Sequence, residues 1–236
     1  MENNRLNEIK KKTVDKVFNS VFQRYDLMND LMSFGVHRLW KKNLIDWLMP
    51  KENTKLIDMA GGTGDVSKLF LEKTKYRSEA YLIDQNINMI SKTNSKINNS
   101  EKFFRICSSA ENIPFSDNTF DYYTISFGIR NVTDIKKSIS EAFRVLKYNG
   151  RFLCLEFSKI ENFYVKKLYE KYSKLLPHLG KLILGEDKPY TYLVESIDKF
   201  YNQNDLLNIL RNSGFQNVKY RNLMSGIATI HSGWKI

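Results

Sequence analysis

The sequence has little of what marks secreted, metal-binding or disordered chains. It contains only two Cys, Cys107 and Cys154, too few and too far apart for a disulfide framework or a metal-ligand motif. Both stand inside apolar runs, so we expect buried, reduced thiols in an intracellular protein. With four Pro and with 42% hydrophobic and 13% aromatic residues, the 236-residue chain is expected to fold as one globular unit.

The sequence also lacks targeting and membrane-spanning segments. No run approaches the roughly 18 apolar residues of a spanning helix, and the first residues, MENNRLNEIKKKTVDKVF, lack the apolar core of a signal peptide. We therefore predict a cytoplasmic protein, soluble or peripheral to the inner membrane. The net charge of +11 suits anionic lipid, nucleic acid or phosphorylated substrates, but the 27 Lys are dispersed along the chain and fit an ordinary solvated surface better.

From Lys55 onward, strand-like and helical segments alternate, which predicts right-handed crossovers and a doubly wound, mostly parallel α/β sheet. The chain ends with two strands that form an antiparallel hairpin. The predicted strands are KLIDMA, AYLID, KFFRICS, FDYYTIS, GRFLCLEFS, QNVKYRNL and IATIHSGWKI; the predicted helices are 66–71, 87–97, 135–146 and NQNDLLNILRNSGF.

Helices precede the first strand and form an N-terminal cap. Apolar residues recur at helical spacing from Val14 to Tyr25, and a second helix is predicted over 39–48. We expect a single domain, 1–236, with no internal repeat. Its parts are the cap (1–50), a cofactor-binding core (54–158), a substrate-side insertion (159–200), and a C-terminal helix and hairpin (201–236).

The stretch LIDMAGGTGDVS places Gly61, Gly62 and Gly64 directly after the first strand. A glycine turn at the carboxyl end of a parallel strand lets a ligand approach the backbone closely. Asp84 ends the second strand, 20 residues beyond Gly64, where a carboxylate can accept both ribose hydroxyls. These positions predict an adenosine-containing cofactor.

The charges near this turn favour one kind of cofactor. The dinucleotide fingerprint is incomplete, because Ser67 stands where its third Gly would be. Asp58 and Asp65 flank the turn; they would repel a pyrophosphate, whereas a cationic amino-acid end would be attracted to at least one of them. We therefore expect S-adenosylmethionine and no metal. A nicotinamide-dependent oxidoreductase is disfavoured for the same reasons, and a tight turn without a ligand is the remaining alternative.

Three positions further along the chain fit the same crevice. Ser109 and Ala110 follow the third strand, in a small polar loop that suits an adenine ring. Ser126 ends the FDYYTIS strand and would face the same edge of the sheet. Taken singly, each of these signals is weak.

With these residues placed, the chain from about Val14 onward resembles the ubiquinone/menaquinone biosynthesis C-methyltransferase family. The glycine turn is shared by many methyltransferases, whereas NDLMSFGVHRLWK and SFGIRNV are far more specific. The matching strings are YDLMNDLMSFGVHRLWK, DMAGGTGD, SAENIPFSDNTFD, ISFGIRNVTD, RVLKYNGRFLCLEFSK and YLVESIDKF.

The resemblance implies a seven-stranded Rossmann-like methyltransferase fold. It also implies methylation of a ring carbon of a polyprenylated benzoquinol or naphthoquinol. The cofactor contacts that it implies are Thr63, Asp84, Ser109 with Ala110, and Ser126. The chain departs from the family at Tyr201, where Pro is common, and at Met224 and Ser225, where Thr and Gly are usual.

Methyl transfer to a ring carbon needs a positioned acceptor and an activated ring hydroxyl. We expect Arg130 to stabilise the developing phenolate or to orient a base-activated water, because a permanently protonated Arg is a poor base. Pairing of Arg130 with a surface acid is the alternative. Tyr25 and Asn29 on the cap are candidates to hydrogen-bond the quinol oxygens, although Tyr25 also continues an apolar helix face. His37 and Glu156 are further base candidates, and a structural His37 is the alternative.

The stretch NFYVKKLYEKYSKLLPHLGKLILGEDKPYTY is rich in aromatic and basic residues and suits a polyprenyl tail or an anionic membrane surface. An ordinary amphipathic helix packed on the sheet is the alternative. The expected partner is thus a polyprenyl quinol, with a homodimer or an assembly with other quinone-biosynthesis enzymes left open. Nucleic acid is not expected, because a methyltransferase of RNA would show a clustered basic stripe. The apolar residues of this stretch at near-helical spacing are Phe163, Leu168, Tyr172, Leu175 and Leu176.

Overall fold

The computed structural model describes residues 12–14, 16–17, 19, 25–33, 35–93, 97, 100–184 and 187–236. Within these residues, one mixed sheet has seven strands. The strands are β1 (Lys55–Met59), β2 (Glu79–Asp84), β3 (Phe103–Cys107), β4 (Phe120–Ser126), β5 (Leu146–Phe157), β6 (Gln216–Leu223) and β7 (Ala228–Trp234).

The longer helices lie before, between and after these strands. Two short 3₁₀ turns, Ile129–Asn131 and Met224–Gly226, follow β4 and β6. The α-helices are α1 (Tyr25–Ser33), α2 (His37–Leu48), α3 (Asp65–Lys73), α4 (Ile87–Ser91), α5 (Ile135–Val145), α6 (Phe163–Leu184), α7 (Lys188–Lys199) and α8 (Gln203–Asn212).

The strand order is β3-β2-β1-β4-β5-β7-β6. The first five strands pair in parallel, and β7 pairs antiparallel with both β5 and β6. The chain reverses its direction of winding between β1 and β4, and open α/β sheets bind ligands at this point, beyond the carboxyl ends of the strands. The predicted doubly wound sheet with a C-terminal antiparallel hairpin is confirmed.

The sheet buries an apolar layer on each face. One layer holds Trp40 and Leu44 of α2 with Phe70 of α3. The other holds side chains of α5 and α8, such as Ile139 and Leu206. Covering on both faces explains why the central strands are near-continuous apolar runs, which is the pattern that predicts them.

Several bounds differ from the prediction. β5 begins at Leu146, because KYN joins the strand before the predicted start at Gly150. The helix after β2 ends at Ser91, short of the predicted residue 97. Cys154 is buried as expected, but Cys107 is exposed, because it ends β3 at the open edge of the sheet, where one neighbour is missing.

The N-terminal and C-terminal ends of the fold hold further differences. The predicted helix from Val14 to Tyr25 lies largely outside the described residues, whereas α1 and α2 are helical in the expected region. At the hairpin turn Met224 and Ser225 have φ of 46° and 57°. Left-handed backbone favours Gly. The Gly that is usual at this position in the family that the chain resembles would therefore adopt the conformation of Ser225 with less strain than Ser does.

Candidate active site

The glycine turn between β1 and α3 needs its glycines for two different reasons. Gly62 and Gly64 have φ of 54° and 83°, a conformation that residues with a Cβ adopt at a cost. Gly61 instead lacks space, because a Cβ there would lie 2.8 Å from Leu82 Cγ. The turn therefore presents bare backbone at the carboxyl end of β1.

Asp84 holds this turn from the end of β2. Its Oδ2 accepts a hydrogen bond from Gly62 N at 3.0 Å, and its Oδ1 accepts one from Asn86 N at 2.9 Å. Burial raises the pKa of Asp84, and these backbone donors oppose the rise. Asp84 thus orders the turn and borders the crevice, and its predicted contact with the ribose hydroxyls remains a prediction.

The other two acids of the motif face the protein. The carboxylate of Asp58 is fully buried and accepts hydrogen bonds from Ser67 N (3.0 Å), Ser67 Oγ (2.7 Å) and Thr124 Oγ1 (3.2 Å). Burial raises the pKa of Asp58 to about 6. Asp65 pairs with Lys41 Nζ at 2.7 Å. Protein donors thus engage both carboxylates and fix the first turn of α3, while Asp65 stays partly exposed. That a cationic ligand group meets at least one of the two acids remains a prediction.

A crevice opens between this turn, the ends of β2 and β3, and the loop after β4. Gly62, Asp84, Ser109 and Ala110 of the predicted cofactor contacts line it. Gly61, Thr63 and Ser126 are neighbours in sequence of lining residues but do not line it themselves. Lining residues that the sequence reasoning did not single out are Val14, Met59, Ala60, Gln85, Asn86, Met89, Ser108, Glu111, Phe127, Gly128, Asn131 and Val132.

The residues of the crevice fit the adenosine part of S-adenosylmethionine. Met89, Ala110 and Val132 supply apolar surface for a base, and Asp84 supplies the acceptor for a ribose. Glu111 braces the rim, because its Oε1 accepts hydrogen bonds from Thr133 N at 2.8 Å and Asp134 N at 3.1 Å. Glu111 stands inside the SAENIPF string, but no local pattern reveals partners 22 or more residues away.

Arg130 and Glu156 form a buried ion pair beside the crevice. Arg130 Nη1 lies 2.5 Å from Glu156 Oε1, and the two side chains are 3% and 2% exposed. Arg130 Nη1 also donates to Phe127 O at 2.9 Å, and Glu156 Oε1 accepts from Phe157 N at 2.9 Å. Burial raises the pKa of Glu156, and the Arg130 charge opposes this. The sequence left open that Arg130 pairs with an acid at the surface; in the structure its partner, Glu156, is buried.

Tyr169 of α6 reaches the neighbourhood of Arg130, which the sequence reasoning missed. Burial raises the pKa of Tyr169 above its usual range, and the positive charge of Arg130 partly offsets the rise. Neither Tyr169 Oη nor Arg130 Nε has a hydrogen-bond partner among the described residues, although both atoms are buried. Buried polar atoms are nearly always bonded, so each of these two donors indicates a polar ligand or an ordered water as its partner.

The cap residues take different positions. Asn29 of α1 is buried, and its Nδ2 has no partner within the described part of the chain. Tyr25 begins α1, but its side chain lies outside what the structure describes. His37 is buried at the start of α2, with its Nδ1 3.1 Å from Ser33 Oγ. Burial lowers the pKa of His37 to about 4, so it is neutral at pH 7, and it does not line the crevice.

The proposed tail-binding residues do not share one face of α6. Leu176 is fully buried and Tyr172 is half-buried, whereas Phe163, Leu168 and Leu175 point to solvent. A second cavity borders Arg130 from the side of α7, and Tyr201 lines it. The Tyr201 departure therefore lies near Arg130, on the side away from the glycine turn.

The comparisons with known proteins agree with this geometry. The model of the ubiE/COQ5 methyltransferase family matches residues 6–235. The chain belongs to this family. It is 46% identical to a ubiquinone/menaquinone biosynthesis C-methyltransferase of Roseobacter denitrificans, covering 94% of this chain and 90% of that one. Its identity to the corresponding protein of Bartonella bacilliformis is 48%, covering 96% and 90%.

Solved structures support the same fold at low identity. A SAM-dependent methyltransferase of Thermotoga maritima aligns with a TM-score of 0.67 and 18% identity, covering 94% of this chain and 100% of that one. A SAM-dependent methyltransferase of Aquifex aeolicus aligns with a TM-score of 0.63 and 17% identity, covering 89% and 97%. The predicted family and fold are thus confirmed, and the protein is a methyltransferase.

No group of three or more His, Cys, Asp and Glu in the described residues is arranged to hold a metal ion. None of the helices that the structure describes is long and apolar enough to cross a membrane.

Proposed function

We propose that the protein transfers the methyl group of S-adenosylmethionine to a ring carbon of a polyprenylated benzoquinol or demethylmenaquinol, in ubiquinone or menaquinone biosynthesis. The observation that carries this proposal is the adjacency of two sites. The crevice with Asp84 at its rim is bordered by the 3₁₀ turn Ile129–Asn131, and Arg130 in the middle of that turn has a buried Nε without a hydrogen-bond partner among the described residues. The relatives at 46% and 48% identity bear the name of this activity.

On the cofactor side, Asp84 binds the ribose and the backbone at Gly61, Gly62 and Thr63 accommodates the amino-acid end. Ser109, Ala110 and Ser126 border the base and the methyl-bearing end. Bound there, S-adenosylmethionine supplies a sulfonium-activated methyl group. The bare glycine backbone lets the cofactor lie close against the turn, and in-line displacement then requires the acceptor carbon to be positioned against the methyl group.

On the acceptor side, Arg130 Nε and Tyr169 Oη donate hydrogen bonds to one ring oxygen. A guanidinium next to a phenol favours its ionised form, which makes the ring carbon a better nucleophile. Glu156 holds the guanidinium in place through the buried ion pair. Tyr25 and Asn29 close over the ring from the cap. The base is an Arg130-bound water, His37, Glu156 or Tyr25, since Arg130 stays protonated.

We place this reaction in the cytoplasm at the surface of the inner membrane, because a polyprenyl tail resides in lipid. The amphipathic α6 supports this placement, as it carries five Lys and one acid.

The test is label transfer. Purified protein is incubated with methyl-labelled S-adenosylmethionine and, in parallel, with demethylated benzoquinol, demethylated naphthoquinol or total RNA. We expect label on a quinol ring carbon. Label only in RNA, or no cofactor binding by calorimetry, would contradict the proposal.

An Arg130→Ala variant refines the test. We expect turnover to fall at least about 100-fold, as when a transition-state hydrogen-bond donor is removed, while the cofactor Kd stays within about threefold. A large loss of cofactor affinity would instead assign Arg130 to the cofactor site. Arg130→Lys is the matched variant, since it keeps the charge and loses the Nε donor.

A further inference from the structure

The outward face of α6 exposes large apolar side chains in an unusual concentration. Phe163, Tyr164, Leu168 and Leu175 are 61%, 81%, 72% and 57% exposed. Tyr164, Leu168 and Leu175 follow one another at intervals of four and seven residues, so they form one stripe along the helix. Singly exposed apolar residues need no explanation, but a stripe of them marks an interaction surface.

A second stripe, of lysines, runs beside the apolar one. Lys167, Lys171, Lys174 and Lys181 are exposed at intervals of four, three and seven residues. The only acid of α6 is Glu170, which stands among these lysines and lies 3.9 Å from Lys166. Lys167 Nζ lies 4.8 Å from the Phe163 ring centroid, so the lysine stripe also contacts an exposed aromatic ring at the start of the helix. We call these exposed residues from Phe163 to Lys181 the outer face of α6.

The opposite face of the same helix reaches the active site. Tyr169 lies near the Arg130 guanidinium, and Tyr172 Oη donates to Leu31 O of α1. Leu176 is fully buried in the core under the sheet. The outer face of α6 and the acceptor side of the site therefore lie on opposite faces of one helix. The distance between a ligand at the outer face and the acceptor side is about the diameter of that helix.

We propose that the outer face of α6 is the docking surface for a membrane of anionic phospholipid, seated so that the acceptor enters beside α6. The proposal rests on the proposed function for the identity of the acceptor, but not for the docking itself. An apolar stripe flanked by cationic residues is the pattern of helices that lie in the interface plane. The charge complementarity selects anionic lipid over a second copy of this chain, because two such faces would bring their lysines together.

Vesicle sedimentation tests the docking. The full chain is mixed with vesicles of phosphatidylcholine alone or with about 30% phosphatidylglycerol, since an anionic leaflet attracts basic residues. We expect binding only to the anionic vesicles, weakened by salt. A Lys167→Gln/Lys171→Gln/Lys174→Gln variant should bind about 100-fold more weakly, and Leu168→Ser/Leu175→Ser at least about tenfold more weakly.

The matched control removes three exposed lysines from other elements: Lys102, Lys136 and Lys219, each changed to Gln. This control has the same net charge as the α6 triple variant, so general electrostatics would weaken both equally. Equal binding of the two triple variants, or no binding of the wild type to anionic vesicles, overturns the docking surface. The wild type could instead dimerise in sedimentation velocity without binding vesicles, and the α6 variants could abolish the dimer. That result would assign the outer face of α6 to a second copy of the chain and would also overturn the docking surface.

Activity on a detergent-soluble, short-tailed demethylated quinol separates the two proposals. We expect all of these variants to turn it over at the wild-type rate, because none of their residues touches the site. If the α6 variants lose vesicle binding and keep full activity on this substrate, the docking surface is confirmed and the proposed function stands. Vesicle binding without methylation of any quinol would leave the docking intact and refute the proposed acceptor.

Discussion

The guanidinium of Arg130 and the carboxylate of Glu156 meet at 2.5 Å in a space where both side chains are at most 3% exposed. Glu156 ends β5 and Arg130 follows β4, so two paired strands bring them together. A buried ion pair adds little stability over an apolar pair, but breaking one by removing a partner is costly. The pair is best explained as the device that holds Arg130 in position.

Glu156→Gln should therefore destabilise the fold and slow the reaction. Loss of one partner leaves a buried, unpaired charge, which costs roughly 3–5 kcal/mol. Denaturant unfolding measures this, and the double variant Arg130→Met/Glu156→Gln should recover part of the lost stability. If the double variant instead loses as much unfolding free energy as the single variants Arg130→Met and Glu156→Gln together, the residues do not act as a pair.

Gly128→Ala should damage the crevice, because a Cβ there would lie 2.5 Å from Ala60 Cβ. The clash calls for a backbone shift at the carboxyl ends of β1 and β4, and we expect weaker cofactor binding and a loss of about 1–3 kcal/mol in unfolding free energy. Ala60→Gly removes the opposing atom and suits the φ of 50° at that position. The double variant should thus regain most of the cofactor affinity measured by calorimetry; failure of this rescue would locate the damage elsewhere.

Asp84→Asn should weaken S-adenosylmethionine binding by about 10- to 100-fold, the value of a hydrogen bond to a charged group. An Asn side chain can still accept from Gly62 N but then leaves Asn86 N without its acceptor, so the turn is expected to stay folded with a small loss of stability. The thermal midpoint without cofactor serves as the control. A Kd equal to that of the wild type would mean that Asp84 only orders the turn.

Tyr169→Phe tests the acceptor side. The variant loses only Oη, which has no partner in the described residues, so the fold should keep its stability or gain a little. We expect KM for the quinol to rise about tenfold with an unchanged cofactor Kd. The exposed Tyr164→Phe is the matched control for kinetics. Unchanged KM and kcat would leave Tyr169 as a core residue.

Acid should weaken the fold through buried histidines. Burial lowers the pKa of His231 to about 4, while its Nε2 donates to Gln203 O at 2.9 Å. The unfolded chain takes up this proton near pH 6.5, so stability from His231 is present above pH 6.5 and is lost as the pH falls toward 4. His231→Gln keeps a donor and cannot ionise. The stability difference between wild type and variant should therefore shrink over this window by up to about 3 kcal/mol.

Asp58 changes the stability with pH in the opposite direction. Its pKa is raised to about 6 in the folded protein, so its contribution to stability falls as the pH rises from 4 to 6. Comparing wild type with the His231 variant cancels this contribution. A difference that stays constant from pH 7 to pH 4 would contradict the buried, neutral state of His231.

Sequence patterns predict the sheet well because its central strands are buried on both faces. FDYYTIS coincides with the central strand β4 to the residue. QNVKYRNL coincides equally well with β6, although β6 is a partly exposed edge strand, because Gly214 and MSG mark the turns on either side of it. The exposed Cys107 is missed because an apolar run does not tell whether its strand lies at an edge. The start of β5 is missed because KYN is polar, and because Leu146, the residue that begins the strand, pairs with Phe120 of β4 ahead of an irregularity in the register.

By itself, the sequence determined the doubly wound sheet and the glycine turn with Asp84 behind it, because these depend on local periodicity and spacing. It also carried the resemblance to the methyltransferase family, through specific strings such as SFGIRNV and NDLMSFGVHRLWK. Only the tertiary structure decided that Asp58 and Asp65 face protein donors, that Arg130 pairs with Glu156, and that Tyr169 joins them. Those relations link side chains on different elements in an interior of low dielectric, where each buried charge or donor must find a partner that no local pattern specifies.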